Sequence, residues 1–138
     1  MKNKFDLMSE SDQAYSLHKA LTLVEALPYI RKHTGKIVVV KYGGHVMENK
    51  KLLENFSKDI CLLKEVGIKP IVVHGGGPQI NEILKKRKIK SNFVNGLRIT
   101  DNATIKVVKD ILINKINKEI VKNINNIGGK AISLSGNK

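Results

Sequence analysis

Between Ser11 and His33 the apolar residues Ala14, Leu17, Leu21, Val24 and Leu27 recur at steps of three and four, the stripe of an amphipathic helix. Pro28 lies within that stretch and is expected to kink or restart the helix. Two readings of the stripe stand: a helix folded back on its own domain, or an arm that docks on another subunit. From Lys36 the pattern changes to IVVVKY (Ile37 to Tyr42), a continuous β-branched run typical of strands buried on both faces, and it ends in Gly43-Gly44. Asn49 is placed to cap a helix carrying Leu52, Leu53, Phe56, Ile60 and Leu63, with Gly67 as its stop. A second apolar run, Pro70 to His74, leads into Gly75-Gly76-Gly77, and Pro78 is placed to open the next helix. Strand, glycines and helix, twice over, predict an α/β fold: a mostly parallel sheet with βαβ crossovers and helices on both faces.

Further along, Asn95-Gly96 between the short apolar runs of KSNFVNGLRIT predicts a hairpin ribbon. Thr100-Asp101 opens a long helix with Ile105, Val108, Ile111, Leu112, Ile116, Ile120 and Ile124 on its apolar face, closed by Gly128-Gly129. A last strand is expected over Ala131 to Leu134, entering a Ser135-Gly136 turn. Such a strand normally continues into another element, so the sequence reads as cut at Lys138. The organisation expected is a helical segment over residues 1–34 and an α/β unit over residues 35–138.

In a parallel α/β sheet, ligands bind beyond the carboxyl ends of the strands, and both glycine clusters are predicted there. Glycines allow close backbone approach, and the N–H groups of a following helix attract anions. Two such loops on neighbouring strands point to a phosphoryl group or a carboxylate, with ligand-free tight turns as the alternative. No G-x-x-x-x-G-K-[ST] and no complete G-x-G-x-x-G is present, which sets aside a P-loop and gives dinucleotide binding little support. Lys41 is a charge inside an apolar run, costly to bury unless it meets an anion or the open end of the sheet. It is either an electrostatic partner for a transferring phosphoryl group or a snorkelling strand-end lysine. Arg98, just past the hairpin turn, can clamp a carboxylate bidentately or make a surface ion pair. His45 and His74 flank the glycine loops without cysteines or paired carboxylates nearby, a weak metal set, and are expected to pack or hydrogen-bond within the loops.

Composition changes this picture little. Of 138 residues 41% are hydrophobic, enough for one domain with a real core. The formal charge of +13 comes from 25 Lys and Arg against 12 Asp and Glu. Only Arg31, Arg87 and Arg98 are arginines, and the lysines are spread over nearly every segment. Nucleic-acid grooves favour Arg and stacking aromatics, and here there are three Phe, three Tyr and no Trp, so no nucleic-acid partner is expected. The single Cys61 excludes a disulfide within the chain and fits a reduced, intracellular compartment. With no apolar span of membrane length and no signal-peptide core, a cytoplasmic protein is expected, without a membrane partner.

Three segments, VVVKYGGHVM (Val38 to Met47), VVHGGGPQIN (Val72 to Asn81) and NGLRIT (Asn95 to Thr100), resemble in order and spacing the amino acid kinase family and, within it, the acetylglutamate kinases. KxGG alone would mark only the wider family, which includes carbamate, aspartate, glutamate and uridylate kinases; HGGG-PQI followed by NGLR narrows it. The resemblance implies an αβα sandwich of which this sequence is the N-terminal, acyl-substrate half. It implies transfer of the γ-phosphoryl group of ATP to the γ-carboxylate of N-acetyl-L-glutamate in arginine biosynthesis, with Mg2+ held mainly by the nucleotide phosphates and no metal site of the chain's own. Carried over by residue, Lys41 would be the catalytic transition-state stabiliser, and Gly43 and Gly44 would contact the phosphoryl group. Gly76 and Gly77 would bind N-acetylglutamate, and Arg98 would hold its α-carboxylate. A homo-oligomer is implied, a dimer, or a hexamer interlaced by the N-terminal helix as in arginine-inhibited members. The nucleotide pocket, a second catalytic Lys, a lysine-positioning Asp and a substrate-binding Asn belong to a second half absent from this sequence, so catalysis by this chain alone is not expected. A related kinase acting on another acidic substrate, or a non-catalytic ligand-binding or assembly fragment, are the alternatives.

Overall fold

A computed structural model of the chain describes residues 8–43 and 49–136. Its first helix, α1 (Glu10–His33), begins where the Ser9 hydroxyl accepts the Asp12 N–H at 3.2 Å. Glu10 and Asp12 in its first turn and Arg31, Lys32 and His33 in its last complement the helix dipole. It runs through Pro28 without restarting, and none of its residues is buried. The stripe of Leu17, Leu21, Val24 and Leu27 therefore finds no cover in this chain among the described residues, and Leu23 beside it is 68% exposed.

β1 (Ile37–Tyr42) and β2 (Lys69–His74) pair in parallel, with Val40 opposite Val72 and Tyr42 opposite His74. Between them crosses α2 (Lys50–Glu65), capped by Asn49, whose side-chain oxygen accepts from the N–H groups of Lys51 at 2.9 Å and Leu52 at 3.2 Å. It ends at Gly67, whose φ of +84° is the left-handed turn that lets the Ile68 N–H reach back to the Leu63 carbonyl. After β2 come α3 (Gly77–Lys86), then β3 (Asn92–Val94) and β4 (Leu97–Ile99), an antiparallel hairpin. Its turn residues Asn95 and Gly96 have φ of +51° and +78°, both left-handed, as a two-residue type I′ turn requires.

The predicted long helix is present but not uniform. α4 (Asn102–Lys109) and α5 (Lys118–Asn126) are joined by a π-helical segment, Asp110–Asn117, in which the turn is widened by one residue. Asp101 caps α4 by accepting the Thr104 N–H at 2.7 Å.

The core gathers Leu53 and Ile60 of α2, Ile80 and Leu84 of α3, Val107 of α4, Ile111 and Ile116 of the π segment, and Ile120 and Ile124 of α5. Tyr42 joins it from β1, stacked on Phe56 with ring centroids 4.0 Å apart. Val40 and Val72 pack against this cluster from the same face of the sheet. Ile37, Val39, Ile71 and Val73 occupy the other face and are exposed, so the expectation of strands buried on both faces is corrected. Among the described residues, helices cover one face only. The expected last strand is also corrected. Residues 131–134 pair with neither β1 nor β2; the Asn125 carboxamide instead takes both backbone groups of Ala131, accepting its N–H at 2.7 Å and donating to its carbonyl at 3.2 Å.

Candidate active site

The parallel pairing brings the carboxyl ends of β1 and β2 side by side, with Lys41 beside Val73 and Tyr42 beside His74. Gly43 and Gly75 continue these ends, so the two glycine loops emerge from one edge of the sheet. Gly44 and His45 lie outside the described residues. Strand alternation places Lys41 with Ile37 and Val39 on the open face, while Tyr42 turns into the core. Lys41 is exposed near the carboxyl end of β1, the open end of the sheet that both readings of it required. Among the described residues it makes no ion pair.

Gly76 is the cap residue of α3 and offers no side chain to the first helical N–H groups; its carbonyl accepts from the Ile80 N–H at 2.9 Å. Pro78 follows at the start of the helix, as expected. The loop's glycines differ in surroundings. A β-carbon added at Gly43, Gly75 or Gly77 would meet nothing within 4 Å among the described residues, whereas one at Gly76 would lie 2.6 Å from Cδ1 of Ile116 and 2.7 Å from Cδ2 of Leu112. The His74 Nδ1 lies 3.0 Å from the Gly75 carbonyl oxygen, a contact inside the loop.

Arg98 sits at the middle of β4, half-buried. Its guanidinium donates to the Asn81 side-chain oxygen on α3 at 2.7 Å and to the Ser91 hydroxyl, and lies 4.6 Å from the Phe93 ring centre. Phe93 is its cross-strand partner. The hairpin is thus tied to the helix that begins at the glycine loop. All three partners are neutral. The ion pairs among the described residues are Lys58 with Glu54 and Lys86 with Glu82, both exposed helix neighbours, so Arg98 keeps its positive charge uncompensated. Asn81 and Ser91 had no local signal in the sequence. Phe93 did, because a two-residue turn at Asn95-Gly96 fixes which residue faces Arg98.

On the inner side of the strand ends is an open cleft of about 240 Å³, lined by Tyr42, Leu53, Gln79, Lys115, Ile116, Glu119 and Ile120. Burial, and the Glu119 carboxylate, push the Tyr42 phenol above its ordinary pKa. The cleft lies on the opposite face from Lys41. Among the described residues no group of three or more His, Cys, Asp or Glu could hold a metal ion, and no helix is long and apolar enough to cross a membrane.

A parallel strand pair with glycine loops at its carboxyl end, and a helix after the second loop to which an arginine of the hairpin is tied, define a class of α/β protein, and the comparisons give it a family. The model of the amino acid kinase family matches residues 36–138, and the chain belongs to that family. It is 57% identical over 120 residues to the acetylglutamate kinase of Carboxydothermus hydrogenoformans and 55% identical over 120 residues to that of Geobacter sulfurreducens. In both cases the match covers 87% of this chain and 41% of the relative, so the chain spans about two fifths of the length of these curated relatives. Among solved structures, smu.665 from Streptococcus mutans UA159 superposes with a TM-score of 0.65 at 25% identity, covering 72% of this chain and 40% of that one. An N-acetylglutamate synthase from Neisseria gonorrhoeae, complexed with coenzyme A and N-acetyl-glutamate, reaches a TM-score of 0.66 at 23% identity, covering 86% of this chain and 27% of that one. The latter likeness is one of fold.

Proposed function

We propose that this chain is the acid-substrate side of an acetylglutamate kinase, which transfers the γ-phosphoryl group of ATP to the γ-carboxylate of N-acetyl-L-glutamate and serves arginine biosynthesis. The observation that carries the reading is Arg98. A half-buried guanidinium held by neutral partners is oriented without being neutralised, which suits it to take a carboxylate as a charge-assisted pair. The names borne by the relatives supply the acid.

In this reading Arg98 holds the α-carboxylate, and Gly76 and Gly77 set the rest of the acid against the start of α3. Lys41, exposed at the end of β1, offsets negative charge that builds up on the phosphoryl group in flight, with backbone N–H contacts from Gly43 and Gly44. The open sides of Gly43 and Gly77 leave room for such an approach. In this reading the Mg2+ that accompanies ATP is held mainly by the nucleotide phosphates. Residues 35–138 are the substrate-binding unit, and residues 1–34 an arm for a homo-oligomer, a dimer or a hexamer, in the cytoplasm. The bare apolar stripe of α1 supports the arm.

The test is hydroxamate trapping of the acyl phosphate by the full-length protein with MgATP and N-acetylglutamate. Lys41→Ala is expected to lower kcat by about a hundredfold or more, in line with removal of a preorganised transition-state donor, while N-acetylglutamate still binds. Normal turnover in that variant would refute the role given to Lys41. Turnover of another acidic amino acid in preference to N-acetylglutamate would reassign the substrate.

A further inference from the structure

Gly76 differs from the other loop glycines in a way that assigns work to residues far from it in sequence. Its φ of 173° is not the left-handed value that calls for glycine at Gly67 and Gly96. What calls for glycine here is space. The volume a side chain would occupy is filled by Cδ1 of Ile116, at 2.6 Å, and Cδ2 of Leu112, at 2.7 Å, while Gly75 and Gly77 on either side face open space. Both residues belong to the π segment, four positions apart and hence on one side of it. Ile116 is only 4% exposed within the core cluster, so its methyl group has little room to retreat, while Leu112 packs against that cluster half-buried. Gly76 also fixes where α3 starts, through its carbonyl bond to the Ile80 N–H.

From this we infer that Leu112 and Ile116 are positioning residues for the glycine loop: the widened turn of the π segment brings their methyl ends onto Gly76 and thereby presents Gly75 and Gly77 to the ligand. Gly76 lacks a side chain to receive the helix. The inference rests on the proposed role of this loop in binding the acid substrate, and it deepens that role by separating the glycine that seats the loop from the neighbours with an open side.

The experiment is size compensation in the full-length protein. Gly76→Ala alone should displace the loop, shifting the amide NMR resonances of Gly75 and Gly77 and raising KM for N-acetylglutamate by about tenfold or more, with a smaller change in kcat. Adding Ile116→Val, which removes the Cδ1 methyl, together with Leu112→Ala should return both resonances and most of the KM. Gly77→Ala should impair binding and not be rescued by these helix substitutions. If the triple variant stays as impaired and as shifted as Gly76→Ala, the inference is overturned. Should Gly76→Ala fail to fold, Ile116→Val with Leu112→Ala alone still decides: unmoved Gly75 and Gly77 resonances refute the seating role, and moved ones support it. Rescue of the resonances in a protein that binds no N-acetylglutamate would uphold the seating and overturn the substrate reading instead.

Discussion

At Arg98 a positive charge is fixed in direction by a carboxamide, a hydroxyl and an aromatic ring, none of which cancels it. A lysine at that position would keep the charge but lose the planar fork. Arg98→Lys is therefore expected to weaken N-acetylglutamate binding by about 2 kcal/mol, roughly thirtyfold, with kcat changed far less. Isothermal titration alongside steady-state kinetics reads the two separately. At this scale the sequence was only partly legible. The scarcity of Arg and the nearby Asn-Gly turn singled out Arg98, and the turn length even fixes Phe93 opposite it. The tie to Asn81 spans 17 residues and has no local signature, because it depends on how the hairpin meets α3. Lys41 was legible as an exception in an apolar run, and its exposure near the strand end agrees with a charge that reaches the open end of the sheet.

Helix and strand boundaries followed local chemistry closely. Asn49 and Asp101 cap α2 and α4, Gly67 ends α2, and Asn95-Gly96 makes the hairpin, each because a short-range hydrogen bond or a positive φ selects the residue. Asp101 also carries a pH signature. Hydrogen bonds from the backbone and side chain of Thr104, and from the Ala103 backbone, hold its carboxyl below the usual range. A carboxyl whose pKa falls on folding stabilises the fold fully above its unfolded value, and that contribution is lost as pH drops through the folded value. Asp101→Asn, still a good cap, should melt close to wild type at pH 7 and show a weaker loss of Tm on acidification; an unchanged acid profile would exclude this source. The elements that escaped sequence reasoning are those set by tertiary contact. The π segment keeps the apolar period of a helix, so its wider turn has no signature in the pattern of Ile111, Leu112 and Ile116. Residues 131–134 have strand composition, yet in the structure Asn125 occupies the backbone groups of Ala131 that pairing would use.

Over the whole molecule, packing is one-sided. The helices α2, α3 and α4 to α5 share a core with one face of the sheet, and α1 contributes no buried residue. Deleting residues 1–26 from the full-length protein should leave the α/β unit of residues 35–138 folded, because α1 buries no residue in it. The oligomer mass, measured by light scattering, should fall. An unchanged mass would sink the arm assignment. The uncovered sheet face has a practical corollary for anyone handling this chain by itself. Ile37, Val39, Ile71 and Val73 form an exposed β-branched patch on a two-stranded sheet, the combination that recruits further strands from other molecules. Its working concentration is then limited by colloidal behaviour before it is limited by unfolding. Val39→Thr with Val73→Thr, which keeps shape and strand preference while wetting that face, should raise the concentration at which scattering sets in and leave the melting temperature where it was.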